Sequence, residues 1–382
     1  MARPPTDAAA DTIVIGGGIV GVSVAAHLAE RGQRVRLFER TALAAAASGR
    51  NSGVVQHPFD PVLVALYLET VECYRALEAR TGGAFALPAE PVGLLSVGHD
   101  PTAIEAMTVS LGASHPRLQP TFLGPGQATA LEPSVAPGVA ACRLDIGYPV
   151  APAAATLATA GRAADLGVSI TIGVDVRPWF DGGRVAGVES TDGQRHAAKD
   201  VVVAAGPWTP ALVDPGGTWR PIRPLWGVVV PVTLAGPPRH VLEEADIDIE
   251  PGDDSVVETT GPSFSLVTAA GSSSLGSTFL DDEPDGPGWV PALVERGARF
   301  VPGVAGAPLG AVRVCARPRS RDGRPLIGRV PGIDGLWVAA GHGPWGISTG
   351  PASARLLADL LTGVDLAPPA SLDPARFGAV LA

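Results

Sequence analysis

The chain has 382 residues, 46% hydrophobic and 17% charged, which excludes a disordered chain and supplies core for roughly two to three domains. Its formal net charge of −10 argues against nucleic acid as the main partner, because phosphate binding is driven by clustered positive charge. Among 28 basic residues there is a single lysine, Lys199, so any mechanism that needs a phosphate-gripping or Schiff-base lysine rests on that position or falls. Cys73, Cys142 and Cys315 form no C-x-x-C pair, which fits reduced thiols better than a disulfide framework. The first residues lack a charged-then-apolar signal region, and no apolar stretch approaches the roughly 18 residues of a membrane span. The expectation is a soluble, cytoplasmic globular protein with no transmembrane segment.

In chain order, 12–15 reads as a short apolar strand, 16–18 as a glycine turn and 19–31 as a helix stopped by Gly32. A second strand at 35–38 closes on Glu39. This βαβ start implies a parallel sheet covered by helices. A small-residue loop at 44–55 precedes a helix at 62–80 and a Pro/Gly-rich middle at 81–140, with a strand at 93–97. Residues 151–166 read as helix and 168–176 as strand, and a hairpin turns at 181–183 into 185–189. The apolar run 201–205, ending in Gly206, suits a buried parallel strand. Alternating strands follow at 226–232, 263–268 and 274–279, with one helix at 289–299. The end returns to a strand at 336–340, a glycine-rich turn and a helix at 350–362. The predicted fold is α/β, a Rossmann-like nucleotide-binding domain from 1–85, 141–219 and 313–382. A β-rich second domain from 86–140 and 220–312 is inserted into it.

Gly16-x-Gly18-x-x-Gly21 opens a helix directly after a strand. Gly16 permits the tight turn, Gly18 lets backbone amides reach a pyrophosphate, and Gly21 lets helix and strand approach closely. The diphosphate belongs at the helix N-terminus, where unpaired N–H groups favour negative charge. Glu39, at the end of the next strand, is placed to accept hydrogen bonds from ribose hydroxyls. The pattern signals a dinucleotide and does not separate NAD from FAD. No metal-ligand cluster, Ser-His-Asp order or nucleic-acid motif stands out.

With IGGGIVG at 15–21, SGRNSG at 48–53, LEPSVAPG at 131–138, VVAAGPWT at 202–209, RPIRPLWG at 220–227, RPRSRDGRPLIG at 317–328 and AAGHGPWGISTGPASA at 339–354, the chain resembles the FAD-dependent D-amino-acid oxidase superfamily. The resemblance covers essentially the whole chain and is strongest to its glycine oxidase, sarcosine oxidase and D-amino-acid dehydrogenase branch. It implies FAD on the Rossmann-like domain, with a β-sheet substrate domain over the flavin. Gly16, Gly18, Gly21 and Glu39 would hold the ADP half, helped by Arg40 and Ser48, with Asn51, Ser52 and Gly53 near the flavin. Val176 would place a backbone group on adenine, and Gly206 would sit near the ribityl or diphosphate. The turn from Gly341 to Ser348, including Gly343, Trp345, Gly346 and Ile347, would cradle the flavin edge. Its helix N-terminus would face the negative charge of the reduced ring. Ile19, Val20, Arg50, Ala205 and Trp208 complete the implied cofactor set.

Arg317 is the implied substrate anchor, since in this family an arginine at this motif position grips the substrate carboxylate, to which a planar fork is matched. Its neighbours Arg319, Arg321 and Arg324 read as surface pairs. Cys315 stands where sarcosine oxidases carry a cysteine bonded to flavin, so FAD is expected either non-covalent or linked there. Lys199 reads as solvated in a polar turn, without the oxygen-activating lysine of that branch. Where glycine oxidase has an arginine inside the G-H-x-x-x-G turn, this chain has Gly343-Pro344-Trp345, so Trp345 would give an apolar wall. His57 and His342 are the histidines expected nearest the flavin, either as proton groups or as packing. Trp226, Phe264 and Phe279 are the aromatic candidates over the ring. The implied activity is oxidation of an amine or amino acid by hydride transfer from Cα to flavin N5, giving an imine and, with O2, hydrogen peroxide. Alternatives are a dehydrogenase serving a quinone or other electron carrier and a non-catalytic flavin-binding protein. A homo-oligomer is compatible with all three.

Overall fold

The computed structural model describes residues 10–83, 85–245, 261–365 and 367–380. The strand Ala10–Ile15 runs into the glycine turn, the helix Ile19–Glu30 follows at once, and Val35–Glu39 returns parallel with Thr12 opposite Val35. On its other side Ala10–Ile15 pairs in parallel with Arg195–Val203, which pairs in parallel with Leu336–Ala340. Ser169–Ile172 adds in parallel beside Val35–Glu39, and Leu326–Arg329 closes the opposite edge antiparallel. These central strands are near-continuous apolar runs because both faces are covered. Ile13, Val14, Val201, Val202, Val203 and Val338 are all fully buried. One face packs the helices Ile19–Glu30 and Gly346–Thr362, and behind these lie Pro61–Thr81 and Ala154–Asp165. The other face is covered by a separate core that includes Phe38, Val176, Val213 and Trp219.

The second sheet has eight strands, in the order Arg313–Ser320, Ile222–Val232, Ser272–Gly276, Ser265–Ala269, Val241–Glu244, Leu94–Gly98, Ala140–Leu144 and Thr121–Leu123. Side chains alternate across it. Val228, Val230 and Val232 join Phe264, Leu266 and Leu275 in a core beneath the helix Val290–Phe300. The architecture is the expected α/β one, a Rossmann-like sheet into which a β-rich unit is inserted. Strand pairing puts Ala140–Leu144 and Arg313–Ser320 in the second sheet, although the segments expected for it end at 140 and 312.

Several local expectations are corrected. The run 168–176 breaks at Gly173, where φ is +81°, so Ser169–Ile172 joins the parallel sheet while Val176–Asp181 starts the hairpin. The middle contains two helices, Pro101–Ser114 and Pro125–Leu131. Asp100-Pro101 is a helix start here, with the Asp100 carboxylate accepting from the N–H groups of Thr102 and Ala103 at 2.9 and 3.3 Å. Lys199 lies exposed within the strand Arg195–Val203, not in a turn, and its carbonyl accepts from Arg184. The last helix begins at Gly346, four residues before the expected 350. Among the described residues no helix is long and apolar enough to cross a membrane.

Candidate active site

A cavity of about 620 Å³ opens at the carboxyl ends of the parallel strands, against Ile15, Phe38, Ala204 and Ala340, with the second sheet's strand Arg313–Ser320 on its far side. Ligands of open α/β sheets bind in this crevice. Its lining includes Gly16, Gly18, Ile19 and Val20, with Glu39 at the end of the next strand, Arg40 just after it, and Ser48, Arg50 and Asn51 from the small-residue segment. A β-carbon on Gly16 would overlap the Ala204 carbonyl oxygen, and one on Gly18 would lie 3.0 Å from Ser48 Oγ. Gly21 is off the cavity. It lies beneath the turn, where a β-carbon would overlap the Gly16 carbonyl oxygen. The helix Ile19–Glu30 starts at Gly18 with no side-chain cap and no acidic residue in its first turn. Among the described residues, Ser48 Oγ is the one side-chain acceptor for the first turn, taking the Ile19 N–H at 3.0 Å.

Glu39 is held in place by its own surroundings. Its Oε2 accepts from Gly17 N at 2.7 Å, and its Oε1 accepts from Thr41 N and Oγ1 at 2.8 and 3.0 Å. Each oxygen keeps acceptor capacity beyond these bonds. The Arg40 guanidinium stacks 4.2 Å from the Trp208 ring, and both border the cavity with Val176, Ala205 and Gly206.

The lining also includes Arg317, Cys315, Trp226, His342, Gly343, Gly346 and Ile347. Arg317 is half-buried, and burial lowers its pKa. Its bonds go to Thr278 O and Ser277 Oγ, and no carboxylate pairs with it among the described residues. A guanidinium withdrawn from water and left uncompensated at a cavity wall is a site for an anion. Of its neighbours, Arg324 binds the Asp60 carboxylate at 2.8 and 3.1 Å, Arg319 forms an isolated backbone bridge with His342, and Arg321 is exposed, its backbone N–H bonding Pro221 O.

His342 is 1% exposed, its Nε2 has no partner, and burial holds its pKa down to about 4. His57 is also pushed down to about 4, by burial and then by His115. Below about pH 6.5 the unfolded chain takes up a proton at each histidine, while the folded protein does so only near pH 4. Stability is therefore expected to fall as pH drops through that window. The urea midpoint measured across it should decline, and less steeply in His57→Phe.

The cavity leaves out Ser52, Gly53, Gly341, Trp345, Ser348 and His57. Gly53 N donates to Asn51 Oδ1 at 2.8 Å, a local turn contact, and Ser348 Oγ accepts from Gln56 N at 2.9 Å. Gly341, with φ of +89°, threads between the side chains of Leu326, Ser320 and Ile222. Trp345 packs on the helical core, so the apolar wall expected of it falls to Trp226 and Pro344. His57 sits among the rings of Tyr67 and Phe59, 5.0 and 6.1 Å away, which removes it as a proton group for this cavity. Phe264 stacks on Phe300 inside the second core, whereas Phe279 lies under Arg317. Ser277, next after the strand Ser272–Gly276, and Gly227, on the strand paired with that of Arg317, meet the Arg317 guanidinium, and Ser277 carries no sequence signal of a ligand.

The residues fit FAD on structural grounds. The turn leaves no room for a β-carbon at Gly16, the helix start has no acidic side chain in its first turn, Glu39 ends the second strand, and the buried His342 Nε2 is unpartnered. Among the described residues no group of three His, Cys, Asp or Glu could hold a metal ion.

Glycine oxidase of Pseudomonas aeruginosa is 29% identical over 375 residues, covering 96% of this chain and 97% of that protein. A D-amino acid dehydrogenase of Cereibacter sphaeroides is 34% identical over 217 residues, 54% of this chain and 45% of that protein. The crystal structure of glycine oxidase from Geobacillus kaustophilus superposes with a TM-score of 0.78 at 25% identity, covering 97% of this chain and 98% of that one. Residues 11–360 match the DAO family, described as FAD dependent oxidoreductase, and the chain belongs to that family.

Proposed function

We propose that this protein oxidises a small amino acid, or an N-alkylated or cyclic secondary amino acid, whose carboxylate is held by Arg317. The observation that carries this reading is the half-buried Arg317 guanidinium, facing the cavity with neutral partners only. Membership of the family and similarity to glycine oxidase and D-amino acid dehydrogenase support the amino-acid class. FAD, when bound, supplies an acceptor for a hydride from the substrate's Cα. In the proposal Gly16, Gly18 and the helix start take the diphosphate, Glu39 the ribose, and the Arg40–Trp208 pair borders the adenine end. The second sheet's face carrying Cys315 and Arg317 covers the substrate.

The chain's part in the chemistry is orientation. Arg317 fixes the carboxylate, and with it the direction of the Cα–H bond. Trp226, Pro344 and Ile347 line the wall and exclude water. The nitrogen lone pair drives loss of the hydride and forms the C=N bond, so no strong general base is required. Water then hydrolyses the released imine to an oxo acid and ammonia or amine. FAD is proposed to be non-covalent, with the Cys315 thiol serving as a buried wall residue.

Oxygen, giving hydrogen peroxide, is the proposed electron acceptor. One observation favours a dehydrogenase instead, namely that the single lysine lies exposed on a strand away from the cavity. Incubating the flavin-loaded protein with glycine, sarcosine, D-alanine and D-proline, with assay of oxo acid and oxygen uptake, tests both readings. Oxo acid with matching oxygen uptake is expected. Oxo acid formed only with an added quinone would select the dehydrogenase, and no product from any carboxylate-bearing amine would reject the proposal.

A further inference from the structure

Arg317 is held by neutral groups alone. Its Nη1 donates to Thr278 O at 2.9 Å and its Nη2 to Ser277 Oγ at 2.5 Å, and the Phe279 ring centre lies 4.6 Å from its Cζ. A β-carbon on Gly227, across the strand pair, would lie 2.5 Å from Cζ and Nη1, so the bare glycine lets the guanidinium lie flat there. Ser277 is itself 5% exposed, and its hydroxyl donates to Thr278 O at 3.4 Å while accepting from Arg317. Of the five N–H groups of an arginine, two are thus engaged, and three remain for a ligand.

We propose that Ser277 is the positioning residue for Arg317, its hydroxyl fixing which guanidinium edge faces the cavity while leaving the positive charge uncancelled. The proposal rests on the reading of Arg317 as the carboxylate anchor. Two tethers, a carbonyl at Nη1 and a hydroxyl at Nη2, stop the fork from turning, whereas one alone leaves a pivot. A carboxylate at position 277 would hold the fork equally well but neutralise it, in competition with the substrate. A hydroxyl is therefore the group that orients without competing.

The test is acetate binding to the FAD-loaded protein, read from the change in the flavin absorption spectrum, with KM and kcat measured for the best substrate. Ser277→Ala is expected to weaken acetate binding by about tenfold, the worth of one hydrogen bond to a charged group. KM should rise in parallel and kcat change less. Ser277→Thr, which keeps the hydroxyl, should return both to within about twofold of the original. Ser277→Asp should abolish acetate binding. In an Arg317→Ala background, Ser277→Ala should add nothing.

Wild-type acetate affinity in Ser277→Ala, alongside its loss in Arg317→Ala, would overturn the positioning role and leave the anchor standing. Wild-type affinity in Arg317→Ala would overturn the anchor and the positioning role together. Should Ser277→Ala lose its flavin, Ser277→Thr and Ser277→Asp decide: unchanged binding in the Asp variant, or binding lost in the Thr variant, rejects the proposal.

Discussion

Arg317→Ala is expected to lower kcat/KM by about thirtyfold or more while FAD stays bound. Truncating one partner of a buried, hydrogen-bonded charge pair costs roughly 2–5 kcal/mol, and each 1.4 kcal/mol is about a factor of ten. The loss should lie mostly in KM if the carboxylate contact is equal in ground and transition states, and spread into kcat if it also aligns the Cα–H bond. Arg317→Lys should fall between, because a lysine offers a point charge in place of a planar fork. Flavin content separates this from misfolding, since the side-chain bonds of Arg317 go to Thr278 and Ser277 and not to the glycine turn or Glu39. Steady-state kinetics with wild-type kcat/KM in Arg317→Ala would contradict the anchor.

The second large effect is expected at Gly21, which touches no ligand surface. A β-carbon there would overlap the Gly16 carbonyl oxygen, so Gly21→Ala must lift the helix Ile19–Glu30 from the strand turn. That helix buries Val22, Val24, Ala25 and Leu28 in one core with Val14, Leu37 and Val202 of the sheet, and its first turn is the proposed diphosphate site. Overpacking of this kind costs roughly 1–3 kcal/mol. The purified variant is expected to have lost most of its flavin and to melt lower, by roughly 2–4 °C for each kcal/mol. Full flavin content at an unchanged melting midpoint would show that the close approach of helix and strand does not shape the cofactor site.

The parts of the fold legible in sequence are those encoded locally. The start of the chain is a strand, a glycine turn and a helix within a few residues, and strand pairing keeps that order. The motif singled out Arg317, and the structure puts it on the cavity wall. Its partners were not legible, because Ser277 lies 40 residues away in sequence and meets Arg317 only across the paired strands of the second sheet. The glycine-rich turn was expected over 341–348 but gives way to helix at Gly346, and sequence does not say which side of a turn faces a cavity. Gly343 and Gly346 line it, while Trp345 and Ser348 turn into packing and a tether. The helices Pro101–Ser114 and Pro125–Leu131 were hidden because Asp-Pro and Gly-Pro mark helix starts as well as turns. Arg313–Ser320 was hidden by its arginines, whose polarity masks a strand paired along its whole length with Ile222–Val232.

The most direct measurement is the visible spectrum of the flavin-loaded protein under anaerobic conditions, before and after adding D-alanine, D-proline, sarcosine or glycine. Ethylamine and pyrrolidine, the same kinds of amine without a carboxylate, are the controls. Bleaching of the flavin band by at least one amino acid, and by neither control, is the expected result. Equal bleaching by the amines that lack a carboxylate, or no bleaching by any amino acid, would contradict a carboxylate-anchored amino-acid oxidation at Arg317.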